Sequence, residues 1–133
     1  MYMLGTNMCI YVLKQHSEPL RQKFKSAKHL SISSVTYGEL CFGIENGAET
    51  LQAERWRQLG LFIRPLSILP WDDKAAKHYG NIRAILKKQG NIIGNNDLLI
   101  AAHARNMDLR LVTNNVGEFA RVPGLLVENW LID

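Results

Sequence analysis

The chain has 133 residues, 47% of them hydrophobic and 21% charged, with sixteen Lys+Arg against twelve Asp+Glu for a net charge of +4. That length predicts one domain over residues 1–133, able to bury well over half of its unfolded surface without a disulfide or metal staple. The balance excludes wholesale disorder, and no apolar run approaches the ~20 residues needed to cross a bilayer, so no membrane partner is expected.

The chain reads as short apolar runs alternating with amphipathic stretches. Tyr2 to Leu4 is a short strand. Thr6 to Lys14 and Glu18 to Lys25 are two short helices. Leu30 to Ser33 is a second strand, and Ser33-Ser34 caps the helix that follows it. That helix runs to about Glu45 and stops at Asn46-Gly47. Glu49 to Ile63 carries Trp56, Leu59 and Ile63 at helical spacing. Pro65 to Leu69 is a strand ended by Pro70. Asp72 to Gln89 is the longest helix; it opens on two acids, which suit a helix N-terminus, buries Ala75, Tyr79, Ile82 and Leu86, and ends at Gly90. Asn95 to Met107 is nearly all apolar between Leu98 and Ala102, as in a helix packed on most sides. Leu109 to Thr113, a helical turn at Val116 to Phe119 and a strand near Leu125 to Val127 complete the chain. Strands alternating with helices predict a three-layer α/β sandwich on a four- to five-stranded parallel sheet.

In such a sheet ligands bind beyond the carboxyl ends of the strands. The polar residues expected there are Gly5, Thr6 and Asn7 after the first strand, Glu39 after the second, and Asn114, Asn115 and Glu118 after the fourth. Asp97 opens the central helix. Carboxylates grouped with amide and hydroxyl oxygens suit Mg²⁺ or Mn²⁺, and such an ion serves phosphodiester hydrolysis. Each residue also has an ordinary explanation. Glu39 fits a capping box with Thr36, although it stands beyond the first turn. Asp97 suits a helix dipole, Glu118 an exposed surface, Asn114-Asn115 a turn, and Gly5 a strand end with positive φ.

Basic residues cluster. Arg21, Lys23, Lys25 and Lys28 come without an acid between Leu20 and Lys28, and Lys74 to Arg110 holds seven basic residues and two acidic ones. Clusters of this kind suit a polyanion such as RNA or DNA, or simply solvate a helix face. Lys87 and Lys88 precede the loop leading to Asp97, and Lys23, Lys25 and Lys28 precede the second strand. Both groups are expected to grip an RNA backbone beside the carboxylates. His16, His29, His78 and His103 show no metal-ligand spacing and are assigned to surface or core. Cys9 and Cys41 are expected to be buried, reduced thiols in a cytoplasmic protein. The N-terminus shows no signal peptide.

Four segments carry a family resemblance. Met3-Leu4-Gly5-Thr6-Asn7 resembles the opening motif of PIN-domain ribonucleases, apolar-apolar-Asp-Thr-Asn. Ser33-Ser34-Val35-Thr36-Tyr37-Gly38-Glu39-Leu40 resembles their second motif, with its metal-binding Glu. Gly94 to Ala104 resembles the third around Asp97, and Leu111 to Phe119 the fourth. Val127-Glu128-Asn129-Trp130 also occurs in this group. The motifs run in register over the whole chain and are most similar to the VapC toxins of bacterial VapBC toxin–antitoxin pairs. The resemblance implies a PIN-like fold and an endoribonuclease dependent on Mg²⁺ or Mn²⁺. It further implies cleavage of the anticodon region of initiator tRNA, a VapB antitoxin, a homodimer, and contact with operator DNA only through the antitoxin. Glu39 and Asp97 would bind the metal, Asn115 and Glu118 would hold its waters or a weaker second ion, and Thr6 would orient the first carboxylate position. Gly5 departs from the pattern, because it stands where the family has its first metal-binding Asp. Asn115 stands where many members have an acid. A chain without the first carboxylate is expected to bind metal weakly and to be inactive or nearly so. The alternative is a catalytically dead partner, acting in an antitoxin complex that represses DNA.

Overall fold

The computed structural model describes residues 1–14 and 18–131, so His16 lies outside the described residues. Five strands form one parallel sheet: β1 (Tyr2–Leu4), β2 (Leu30–Ser33), β3 (Ser67–Leu69), β4 (Arg110–Val112) and β5 (Val127–Glu128), in the order β3-β2-β1-β4-β5. The helices are α1 (Thr6–Lys14), α2 (Glu18–Ser26), α3 (Ser34–Glu45), α4 (Gln52–Ile63), α5 (Asp73–Lys88), α6 (Asn95–Asn106) and the single turn α7 (Val116–Phe119). The stretch expected as one helix from Glu49 divides into a 3-10 turn, Glu49–Leu51, and α4.

Alternation along the short strands builds the three layers, because successive strand side chains face opposite ways. Met3 and Leu111 enter a core shared with Ile82 and Leu86 of α5 and Leu98 and Ala101 of α6. Their neighbours Leu4 and Val112 enter the opposite core, with Met8 of α1, Leu40 of α3 and Leu59 of α4. Each fully buried aliphatic side chain contributes roughly 1.5–3 kcal/mol, so two filled faces hold a sheet whose strands are only two to four residues long. β3 is shorter than its sequence suggested. It is an edge strand, and Ser67 and Ile68 remain exposed.

The local signals match the caps. Ser33 is the N-cap of α3, and its hydroxyl accepts from the Val35 N–H. Asp72 caps α5 through the Ala75 N–H, and the helix closes before Gly90, whose φ of +69° a side chain would oppose. Of the two thiols, Cys9 is buried and Cys41, packed at the margin of the core, only half-buried. Burial pushes the Cys9 thiol far above its ordinary range.

The strand order puts a reversal at the centre. From β1 the chain builds outward through β2 to β3, then returns to add β4 and β5 on the other side. The crevice beyond the carboxyl ends of β1 and β4 is therefore the ligand position of an open parallel sheet. Gly5 follows one strand and Thr113 the other.

Candidate active site

Three elements bring carboxylates to that crevice. Glu39 sits in the second turn of α3, and the Ser33 cap sets where that helix begins. Its carboxylate Oε1 accepts the Thr6 hydroxyl at 2.7 Å and its Oε2 accepts the Asn96 amide at 3.1 Å. A threonine hydroxyl has one proton. With that proton given to Glu39, the 3.2 Å contact between the Thr6 and Thr36 hydroxyls is donated by Thr36. Both hydroxyls are buried. Thr6 thus holds Glu39. Glu39 does not act as a capping-box partner, since its carboxylate is engaged across the crevice.

Asp97 occupies the first turn of α6, half-buried, and hydrogen-bonds Glu118. Burial, that bond and the charges of Glu118 and Glu39 push its carboxyl up to about 6. Glu118 moves the other way. Burial opposes its charge, but the Gly94 N–H at 2.8 Å, the Asn115 amide at 2.6 Å and the bond from Asp97 outweigh it. Of the two, Asp97 is the more readily protonated. A Cβ at Gly94 would stand in ordinary contact with both carboxyls, 3.4 Å from Asp97 Oδ2 and 3.7 Å from Glu118 Oε1.

The structure thus brings together Thr6, Glu39, Asp97, Asn115 and Glu118. It adds Asn96 and Gly94, which the sequence motifs include without a task, and Thr36, expected only as a capping-box partner of Glu39. Their signal was adjacency: each stands within three residues of a singled-out carboxylate. At Gly5 the backbone N–H donates to the Val112 carbonyl at 2.8 Å. Gly5 is not among the positive-φ glycines, so strand-end conformation does not explain it. A Cβ there would meet Val112 O at 3.3 Å and Thr113 Cβ at 3.6 Å, close but within reach of a small adjustment.

The oxygen donors fit a hard cation in kind. They fall short in number: among the described residues, no group of three or more His, Cys, Asp or Glu is placed to hold a metal ion. Gly5, just after β1, adds no side-chain oxygen to the set.

The two lysine groups part company. Lys87 and Lys88 are exposed at the end of α5, and the loop after them ends at Gly94, against Glu118. Lys25 and Lys28 lie where the chain enters β2, at the sheet end opposite the carboxylates. Lys23 donates to the Trp130 carbonyl at 3.4 Å and borders a depression with Tyr2, the first residue of β1. Of the histidines, His29 is an exposed turn residue with positive φ. His78 accepts from Arg105 Nε, and His103 is buried against Ser33. A groove of about 260 Å³ lies beside Glu39, lined by Ile10 and Leu13 of α1, Leu40 and Ile44 of α3 and Leu59 of α4. Its walls are thus α1, α3 and α4.

The chain matches the PIN domain family over residues 2–125. It is 43% identical over 131 residues to a ribonuclease VapC2 from Haemophilus influenzae, covering 98% of each chain. It is 41% identical over 133 residues to a tRNA(fMet)-specific endonuclease VapC from Salmonella typhimurium, covering 97% of each. In structure it is similar to the DNA-bound VapBC2 complex of Rickettsia felis, with a TM-score of 0.91, 37% identity and coverage of 97% of this chain and 98% of that one.

Proposed function

Because the chain belongs to the PIN domain family and to its VapC ribonucleases, we propose that it is the toxin of a toxin–antitoxin pair, built for metal-dependent cleavage of RNA and weakened by Gly5. The observation that carries this reading is the crevice at the sheet reversal, where Glu39, Asp97 and Glu118 converge and position 5 contributes no oxygen. Initiator tRNA is the proposed substrate, supported by the name of the Salmonella relative.

In this reading Glu39 and Asp97 would hold Mg²⁺ or Mn²⁺ only weakly, for want of a third carboxylate placed with them, and Asn115 fixes Glu118. The chemistry such an ion supplies is activation of water and neutralisation of phosphodiester charge. The chain's own contribution is orientation. Thr6 and Asn96 keep both oxygens of Glu39 in one plane of approach, and Gly94 and Asn115 hold Glu118 against Asp97. Lys87 and Lys88 supply positive charge beside a crevice whose carboxylates repel an RNA backbone.

The groove beside Glu39 is the proposed seat of a VapB-type antitoxin, whose arginine would pair with Asp97 and Glu39; the VapBC complexes among the structural relatives support it. Operator DNA is reached through that antitoxin, and the toxin pairs as a homodimer. Gly5 also favours a second reading, in which cleavage is lost and only the antitoxin complex acts.

Restoring the carboxylate separates the two. Gly5→Asp should raise Mg²⁺-dependent cleavage of initiator tRNA by at least ~10–100-fold over the parent, and should tighten Mg²⁺ binding in a titration. A restored variant as inert as the parent would leave the antitoxin-partner reading.

A further inference from the structure

A second cleft, of about 500 Å³, adjoins the first, sharing Glu39 and Ile10 with it. It adds an aromatic ring and two asparagine amides that the groove lacks. One side is a stripe of α3, with Val35, Gly38 and Phe42 at i, i+3 and i+7. The other side carries the amides of Asn7 and Asn96, and Glu39 lies between them. Phe42 is 66% exposed, which is unusual for a phenyl ring on a well-packed helix. Gly38 is equally unexpected. A mid-helix glycine costs roughly 0.5–1 kcal/mol relative to alanine, yet a Cβ at Gly38 would meet nothing within 4 Å. Packing therefore does not require glycine here.

The two residues explain each other. A helical side chain leans toward the turn before its own Cα, which directs Phe42 toward Gly38, and the two line the same cleft. The result is a shallow slot with an aromatic wall, an uncovered floor and amide groups at its rim. Asn96 gives its Nδ2–H to Glu39, which leaves its carbonyl oxygen as an acceptor. Asn7 is exposed. A nucleobase has this chemistry in reverse, with two flat apolar faces and an edge of donors and acceptors. Stacking on aromatic side chains is the usual way single-stranded RNA is held.

We propose that Phe42 and Gly38 form a stacking slot for one unpaired nucleobase next to the carboxylate crevice, with Asn7 and Asn96 contacting its edge. The proposal rests on the RNA reading above and names how the substrate is held. A peptide suits this cleft less well, because the row of aliphatic side chains from α1, α3 and α4 lines the neighbouring groove instead. The slot also accounts for holding a nucleotide beside carboxylates that repel its phosphate.

The probe is a short single-stranded oligoribonucleotide carrying 2-aminopurine, titrated with the full chain in EDTA at several salt concentrations. The parent should quench the probe by stacking. Phe42→Ala and Phe42→Leu should each lower affinity roughly tenfold or more and abolish quenching, while Phe42→Trp retains both. The salt slope should be the same in all four, because no phosphate contact changes. Gly38→Leu should also abolish quenching with Phe42 in place, by filling the floor. Thermal melts confirm that the variants fold. Unchanged affinity and quenching in Phe42→Ala overturn the slot and leave the ring as a protein-binding surface, with the RNA reading intact. Parent-like binding by Phe42→Leu overturns stacking in favour of simple apolar contact. A parent that binds no RNA at any salt concentration overturns both readings.

Discussion

Asp97 and His103 lie on one helix and respond to pH in opposite directions. Asp97 is held among carboxylates that raise it to about 6 from an ordinary 3.8. Its charged form is therefore destabilising in the absence of a cation. Asp97→Asn should raise stability by about 1 kcal/mol at pH 8 in EDTA, after discounting for the solvent that reaches the group. A urea melt showing a loss instead would mean that the acid is needed for folding. His103 is 1% exposed, and its ring Nδ1 is 2.8 Å from the Ser33 hydroxyl. Burial lowers its affinity for a proton, with Asp72 opposing more weakly. Below its ordinary value of 6.5 the unfolded chain takes up a proton that the folded chain refuses. Stability should therefore fall as the pH drops below that value. Asp97 contributes the reverse slope, gaining stability as the pH falls through about 6. Melts at pH 7.5 and 5.5 in the Asp97→Asn background isolate the histidine, and His103→Gln should flatten the remaining slope. Ser33 links both matters, because its hydroxyl caps α3 and satisfies His103. Ser33→Ala should destabilise by about 2 kcal/mol, from a lost cap and an orphaned buried imidazole. A loss under ~0.5 kcal/mol, the low end for a cap alone, would show that the imidazole finds another partner.

Helix ends were the most legible features at the scale of elements. Ser33, Asp72 and Gly90 signal caps through their own chemistry, and each sits where it was expected. The exceptions came from packing. Glu49–Leu51 is a 3-10 turn rather than the first turn of α4, and β3 contracts to three residues because it pairs on one side only. Placement separates the two lysine groups more sharply than sequence did. Lys87 and Lys88 end α5 beside the loop to Asp97. Lys23, Lys25 and Lys28 end at the far side of the sheet. Replacing Lys87 and Lys88 with Ala should weaken tRNA binding and reduce its logarithmic salt slope by up to ~2, without changing which RNA is preferred. Identical slopes would assign those lysines to solvation alone.

For the whole molecule, the sheet order makes the site. Two cores of roughly equal weight clamp a narrow sheet, and the reversal between β1 and β4 leaves one open crevice. Among the described residues no helix is long and apolar enough to cross a membrane. Exposed apolar side chains remain, including Leu61, Ile92 and Leu126. A homodimer would cover part of that surface. Sedimentation should give a dimer, and a VapB-type antitoxin should shift it to a larger complex. A monomer at every concentration, indifferent to antitoxin, would remove the assembly from the proposed function.

The sequence by itself determined what acts over a few residues. Alternation placed the strands, helical spacing placed the buried stripes, and caps placed the helix ends. Carboxylate, amide and glycine types at fixed distances identified the motifs, and with them the family. These signals are legible because hydrogen bonding and side-chain rotamers act locally. Which strands neighbour one another, that Thr6 holds Glu39, that Gly94 and Asn115 hold Glu118, and that Lys23 turns away to Trp130 were decided only by the tertiary structure. Those contacts join residues up to 107 positions apart. They follow from how the two faces of the sheet pack, and burial is a property of the whole chain.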